Sequence, residues 1–215
     1  MNATSRMVAL LGELKREMNG AVVDSMREKG LDYPLNYGVS LPTIRSLARE
    51  FAPDDELAQL LYRQQVRELQ LAATVIADPR QLSESDLAFW HNGITTVEIA
   101  ENLAMSLVSR SPVAGTAVRK WIADPSPLVR YAAIMTAVRI DRPALEELLP
   151  ELEKAVGSTP ENLIAPTAHG IAALLAARGQ ASETDRKLAR EFIASLPASR
   201  MRERIDDEAG WQLAD

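Results

Sequence analysis

Trp121-Ile-Ala-Asp124-Pro-Ser126-Pro127-Leu-Val-Arg130-Tyr-Ala-Ala-Ile134-Met-Thr-Ala-Val-Arg139-Ile140 is the stretch whose reading decides the fold. It describes the end of one helix, a corner punctuated by proline, and a second helix that is apolar on nearly every side. Between Leu128 and Ile140 the only charged side chains are Arg130 and Arg139. A helix without a continuous polar stripe must be packed on several faces. Arg130 therefore needs an answer from a carboxylate, a carbonyl or a phosphate, because a guanidinium against apolar surface is otherwise costly.

Working outward, the same grammar of cap, proline and apolar run repeats along the chain. Ser111-Pro112, Ser126-Pro127, Thr159-Pro160, Thr95-x-x-Glu98 and Ser182-x-x-Asp185 each open such a run. A capping side chain before proline or an acidic third position satisfies the free N–H groups of a first helical turn. Asn19-Gly20 reads as a helix stop rather than a hairpin, and alternating β-branched runs are missing. The signals predict helices near 3–18, 21–28, 42–51, 54–62, 65–77, 84–91, 96–109, 112–122, 127–140, 143–155, 160–177, 183–194 and 198–206. Pro112 to Pro143 and Pro127 to Pro160 are each separated by about thirty-odd residues, the length of one helix–turn–helix unit of a solenoid. The expected fold is all-α, a curved α-solenoid of antiparallel helix pairs, with an irregular helical bundle as the alternative. No linker divides the chain, so residues 1–215 are expected to form a single domain, fraying after about Asp206.

Composition narrows the chemistry. The 215 residues are 47% hydrophobic, enough for a sizeable core. There is no cysteine, which excludes disulfides, thiolate nucleophiles and cysteine-based metal sites. His91 and His169 are the only imidazoles, too few for a three-histidine metal site. No metal or other cofactor is expected. The absence of a long apolar stretch argues against a membrane partner, and a cytoplasmic monomer is expected. The net charge of -6 argues against a general nucleic-acid binder, although a local basic groove would escape that average.

Three blocks carry a family resemblance: Tyr37-Gly-Val-Ser-Leu-Pro42-Thr-Ile-Arg45, Val66-Arg67-Glu68-Leu-Gln-Leu-Ala-Ala73, and Trp121-Ile-Ala-x-x-x-x-Leu128-x-Arg130-x-Ala-Ala-Ile134. In this order they resemble the DNA alkylation-repair HEAT-like repeat family, the AlkD-like DNA glycosylases, over residues 5–178. The resemblance implies a curved stack of helix pairs holding duplex DNA on its concave face. It also implies metal-independent hydrolysis of the N-glycosidic bond of cationic alkylated purines. Such a base is already a good leaving group, so the protein has to stabilise an oxocarbenium-like sugar, which one fixed carboxylate can do.

The resemblance places that carboxylate on the helix before the Trp121 block. At 100° per residue, Ala100, Leu103, Ala104 and Leu107 form the buried stripe of this helix, with Glu101 on its flank. Glu101 is the expected catalytic residue, and Glu98 is expected to close a capping box with Thr95. Two aromatic positions of the family pattern fall on Val97 and near Ile171, and an accompanying arginine falls near Leu174. The departures remove cation–π contacts worth about 1–2 kcal/mol each.

The expected phosphate contacts are Arg130, Arg67, Arg63, Arg45, Arg119 and Lys120. Arg63 and Arg67 lie four apart, as on one helix, and Arg119 and Lys120 are adjacent. For Arg67 an ion pair with Glu68 is the competing role, and for Arg130 an internal carboxylate. Trp90 and Trp121 read as packing anchors, His91 as a helix C-terminal residue, and His169, beside Gly170, as a packed side chain. The expected function is duplex DNA binding of the alkylation-repair type, with release of cationic N3- or N7-alkylpurines. The alternative is a non-catalytic scaffold that takes a protein partner on its concave face.

Overall fold

The computed structural model describes residues 2–31 and 33–214. Its helices gather into two compact units, Met1–Leu82 and Ser83–Asp215. Among the described residues the only β-type contact is an isolated parallel bridge between Leu35 and Val66. The all-α expectation holds throughout.

The first unit contains α1 (Ala3–Arg16), α2 (Gly20–Glu28), α3 (Leu41–Arg49), α4 (Asp55–Tyr62) and α5 (Arg67–Ile76). Asn2, Asn19, Ser40 and Asp54 cap the first four of these helices, each side chain accepting from a backbone N–H in the first turn. Asn19 thus starts a helix at the point where the sequence suggested a stop. α1 packs on α3 and α4, and α5 packs on α3 and α4. Leu10, Leu14, Ile44, Leu57, Leu61 and Ile76 are fully buried in this core.

The second unit contains α6 (Leu87–Asn92), α7 (Val97–Ser106), α8 (Ala114–Trp121), α9 (Pro127–Ala137), α10 (Leu145–Ser158), α11 (Ile164–Ala181), α12 (Glu183–Ser195) and α13 (Arg200–Leu213). In this unit α9 packs on α7, α11 on α9 and α13 on α11, which makes one layer. α8 backs α9, α10 backs α11, and α12 touches α10, α11 and α13, which makes the second. α9 is therefore covered on both flanks and behind. That explains its sequence: Val129 and every residue from Tyr131 to Ala137 are buried. This is the antiparallel pairing of HEAT-like repeats, in which each pair hides its apolar face by stacking on its neighbours.

Two details differ from the sequence reading. Helical order continues past Asp206, because Ala209 and Leu213 of α13 are buried against the rest of the unit. Three short 3-10 turns, 84–86, 108–110 and 161–163, occupy positions expected to be α-helical. They shorten the helices around them without changing their order.

Candidate functional site

The candidate site begins at the start of α7. Thr96, not Thr95, is the cap: its hydroxyl accepts the Ile99 N–H at 3.2 Å. This one-residue shift places Glu98 at the second helical position, so the expected box with Thr95 does not form. It leaves the stripe as predicted, with Ala100, Leu103, Ala104 and Leu107 fully buried and Glu101 half-buried at its edge.

Glu101 meets α9. The Tyr131 hydroxyl donates to Glu101 Oε1 at 2.6 Å, and the Tyr131 side chain is otherwise enclosed. Enclosure, followed by the bond to the carboxylate and its charge, pushes the Tyr131 phenol far above the ordinary tyrosine range; Arg139 opposes this weakly. The phenol is thus a permanent donor that fixes the orientation of Glu101 and supplies no counter-charge. Among the described residues Glu101 has no ion-pair partner. Its negative charge remains available to a cation arriving at its open side.

Behind Tyr131 stands α11. A Cβ built on Gly170 would lie 3.1 Å from Ile134 Cγ2, 3.2 Å from Tyr131 Cε2 and 3.3 Å from Met135 Sδ. The glycine lets the two helices approach until α11 braces the Tyr131 ring. Ile171 and Leu174, where the family pattern suggested an aromatic and an arginine, are fully buried in the core. The open stripe of α11 instead runs through His169, Ala173, Ala177 and Gln180. His169 is not packed as expected: it is exposed and its Nδ1 lies 2.7 Å from Glu208 of α13. Val97 is half-buried at the first turn of α7.

The expected phosphate contacts are divided between the two units, Arg45, Arg63 and Arg67 in the first and Arg119, Lys120 and Arg130 in the second. Arg67 is 4% exposed, with its guanidinium 3.0 Å from Glu68 and 2.9 Å from the Val39 carbonyl. Glu68, wholly buried, also accepts the N–H groups of Tyr37 at 3.1 Å and Val39 at 3.3 Å. Burial removes Arg67 from the set of phosphate contacts and makes the ion pair its role. Nor does it share a helix with Arg63, since α4 ends at Tyr62 and α5 begins at Arg67. Arg63 is exposed at the end of α4, and Arg45 is half-buried on α3.

Arg119 and Lys120 are exposed, and each is answered by a carboxylate: Arg119 by Glu147 at 3.2 Å and Lys120 by Glu84 at 3.0 Å. Arg130 finds carbonyls, the second of the three partners its sequence context allowed. It donates to Asp124 O at 2.8 Å, Pro125 O at 3.1 Å and Ser158 Oγ at 3.3 Å. It thereby ties the corner before α9 to the end of α10, while its buried Nε has no partner. Trp90 and Trp121 are each 3% exposed, as packing anchors should be. His91 Nε2 lies 2.8 Å from Asp124, fastening the end of α6 to the same corner.

Two features escaped the sequence reading. The Tyr131 bond to Glu101 joins residues thirty positions apart and has no local signature. Arg178 is buried and donates to the Asp141, Ile140, Pro143 and Ala137 carbonyls, closing the C-terminal end of α9. Desolvation lowers its affinity for the proton. Among the described residues no group of three or more His, Asp or Glu side chains is placed to hold a metal, and no helix is long and apolar enough to cross a membrane.

Stacked helix pairs with a carboxylate on the edge of one layer define a helical-repeat protein of the HEAT-like class. Residues 11–210 match the family of DNA alkylation repair enzymes, and the chain belongs to that family. A solved structure described as a new family of proteins related to the HEAT-like repeat DNA glycosylases with affinity for branched DNA structures superposes with a TM-score of 0.72. The two are 20% identical, and the match covers 98% of this chain and 95% of that one. No curated protein matches the chain.

Proposed function

We propose that the protein binds duplex DNA through its phosphates and that Glu101 is the carboxylate through which it releases cationic N3- and N7-alkylpurines. The observation that carries the proposal is the unpaired Glu101 carboxylate, held at 2.6 Å by a phenol that cannot lose its proton near neutral pH. An oriented anion without a counter-ion stabilises a developing sugar cation without having to reorganise during the reaction. Membership of the DNA alkylation repair enzyme family supports alkylated DNA as the substrate. Of the expected contacts Arg63 is exposed and Arg45 half-buried, and Arg119 and Lys120 join them when their exposed ion pairs open. Exposed pairs of this kind hold by about 1 kcal/mol or less, so a phosphate competes with them readily.

Release is confined to lesions whose base already carries positive charge. Glu101 is assigned to the sugar cation rather than to protonating the base, and Val97 offers a cation no aromatic face. The test is incubation of methylated duplex DNA with native protein and with Glu101→Gln, measuring free alkylbase. Native release above the no-enzyme rate, lost in the variant, is the expected result. Equal release by both excludes Glu101. Binding is measured in parallel on linear duplex and on a four-way junction, the latter because of the affinity attributed to the structural relative.

One observation favours the non-catalytic alternative: α7 carries Glu98 and Glu101 and no lysine or arginine. An acidic helix repels a phosphate backbone. DNA binding without release of any alkylbase would assign the protein to that alternative.

A further inference from the structure

In a chain with 24 basic and 30 acidic side chains, most cations should find a carboxylate. Arg6, Arg67, Arg80, Arg119, Arg186 and Arg200 do so. Among the described residues Arg139, Arg142 and Arg178, at the corner between α9 and α10, form no ion pair, as is also true of Arg49, Arg110, Arg130, Arg202 and Arg204; these three are set apart because all of them line one cavity of about 480 Å³. Asp141 and Asp185 also line it, so three positive charges face two negative ones. The balance is positive on a protein that is negative as a whole.

The internal arrangement of this corner sorts its arginines into two roles. Arg178 spends both terminal nitrogens on four backbone carbonyls at the end of α9. One of them, Ala137 O, belongs to the last turn of α9 and the other three to the loop that follows, and a guanidinium on them offsets partial negative charge that would repel an anion. Arg139 and Arg142 are exposed; just past the end of α9, the Arg139 side chain makes one bond, to the Met135 carbonyl, and among the described residues the Arg142 side chain makes none. Asp141 and Asp185 line the same cavity, and the charge of Arg142 is felt at Glu147, but none of these carboxylates forms an ion pair with Arg139 or Arg142. A second open cavity of about 500 Å³ lies on the other side of the same corner and shares Ile140, Asp141 and Arg142 with the first. It is lined by Ser109, Thr116 and Arg119 as well.

We propose that this corner is a phosphodiester-binding track, with Arg139 and Arg142 contacting successive phosphates of a DNA strand and Arg178 acting as a positioning residue beneath them. Two adjoining cavities that share a cation suit a ligand with repeating negative charge better than a single compact anion. Both are open, and neither has the enclosed apolar lining that selects a small organic molecule. Arginine forks match phosphate oxygens in pairs, and hydroxyls and small residues between them let a backbone approach. None of the arginines of this track except Arg119 was among the contacts expected from the sequence. The proposal rests on the DNA-binding reading above and adds to it cations that do not touch Glu101.

The experiment is a fluorescence anisotropy titration of full-length protein with a labelled duplex over a range of salt concentrations. It compares native protein, Arg139→Gln/Arg142→Gln and Glu101→Gln. The double variant should keep the native helical circular dichroism and melting temperature, since both side chains are exposed and unpaired. Its affinity at low salt should fall about tenfold or more, and the slope of log K against log salt should become shallower by about 2, as two phosphate contacts are lost. Glu101→Gln should bind as tightly as native or slightly more tightly. Native affinity and slope in the double variant, with the native protein binding DNA, would overturn the track and leave the DNA-binding reading standing. Absence of binding by the native protein at low salt would overturn both.

Discussion

Substituting Glu68 should cost more stability than any other single change in the first unit. Its carboxylate is fully buried and holds three donors: Arg67 Nη1 at 3.0 Å, the Tyr37 N–H at 3.1 Å and the Val39 N–H at 3.3 Å. Glu68→Ala takes the carboxylate away from the Arg67 charge, itself 4% exposed, while the bond to the Val39 carbonyl at 2.9 Å remains. Breaking a buried pair from one side costs about 3–5 kcal/mol, and two unsatisfied amides add to the same penalty rather than summing with it. We expect a loss of about 4 kcal/mol, a large fraction of the roughly 5–15 kcal/mol that holds a typical domain together. Arg67→Met combined with Glu68→Gln removes both charges and keeps one acceptor, so it should lose less than Glu68→Ala alone. Urea unfolding followed by circular dichroism gives the energies, and amide hydrogen exchange at Val39 reports the local release. A Glu68→Ala protein within about 1 kcal/mol of native, or a double variant less stable than the single one, would refute the assignment of this cluster as a charge-balanced anchor.

Gly170→Leu should destabilise the second unit by about 1–2 kcal/mol in thermal unfolding, because overpacking against Tyr131, Ile134 and Met135 outweighs the gain in helix propensity. A more stable variant would show that the α9–α11 contact yields freely. Among the four tyrosines, Tyr62 and Tyr131 should resist alkaline titration, since burial raises the proton affinity of both. A proton held more tightly in the folded state adds stability that is complete below the ordinary tyrosine pKa of about 10 and is lost as pH rises beyond it. Absorbance at alkaline pH should therefore show these two phenols ionising only together with loss of helical circular dichroism; ionisation while the fold persists would contradict their burial.

What the sequence made legible was whatever has a local cause. Ser182 starts α12 by accepting the Asp185 N–H, and Ser126-Pro127 opens α9, both visible in a window of four residues; Ser111 and Thr159 do not cap, since α8 and α11 begin later, at Ala114 and Ile164. The apolar run from Tyr131 to Ala137 announced a helix enclosed on several sides, and α7, α8 and α11 enclose it. Thr95 and Thr96 could not be separated in this way. Either can cap, and the choice depends on how the chain enters α7, which is settled by packing beyond the window. The same limit explains Asn19, a residue type that serves both ends of a helix.

Charged residues were harder, because a sequence gives their identity without their depth. Arg67 and Arg63 look alike four residues apart, yet one is buried under the loop at 37–39 and the other is exposed, since the break between α4 and α5 rotates them onto different surfaces. Arg130 was rightly read as needing a partner, and the partner was a pair of carbonyls at its own corner. The arginines left without carboxylates, Arg139 and Arg142, drew no attention because nothing in their neighbourhood distinguishes them from solvated surface. Only the three-dimensional balance does: Arg178 reaches back nearly forty residues to cover the end of α9, and this frees its two neighbours to face solvent over a shared cavity. In an acidic repeat protein, a surface for polyanions therefore has to be sought where cations fail to pair, and counting them along the chain cannot reveal it.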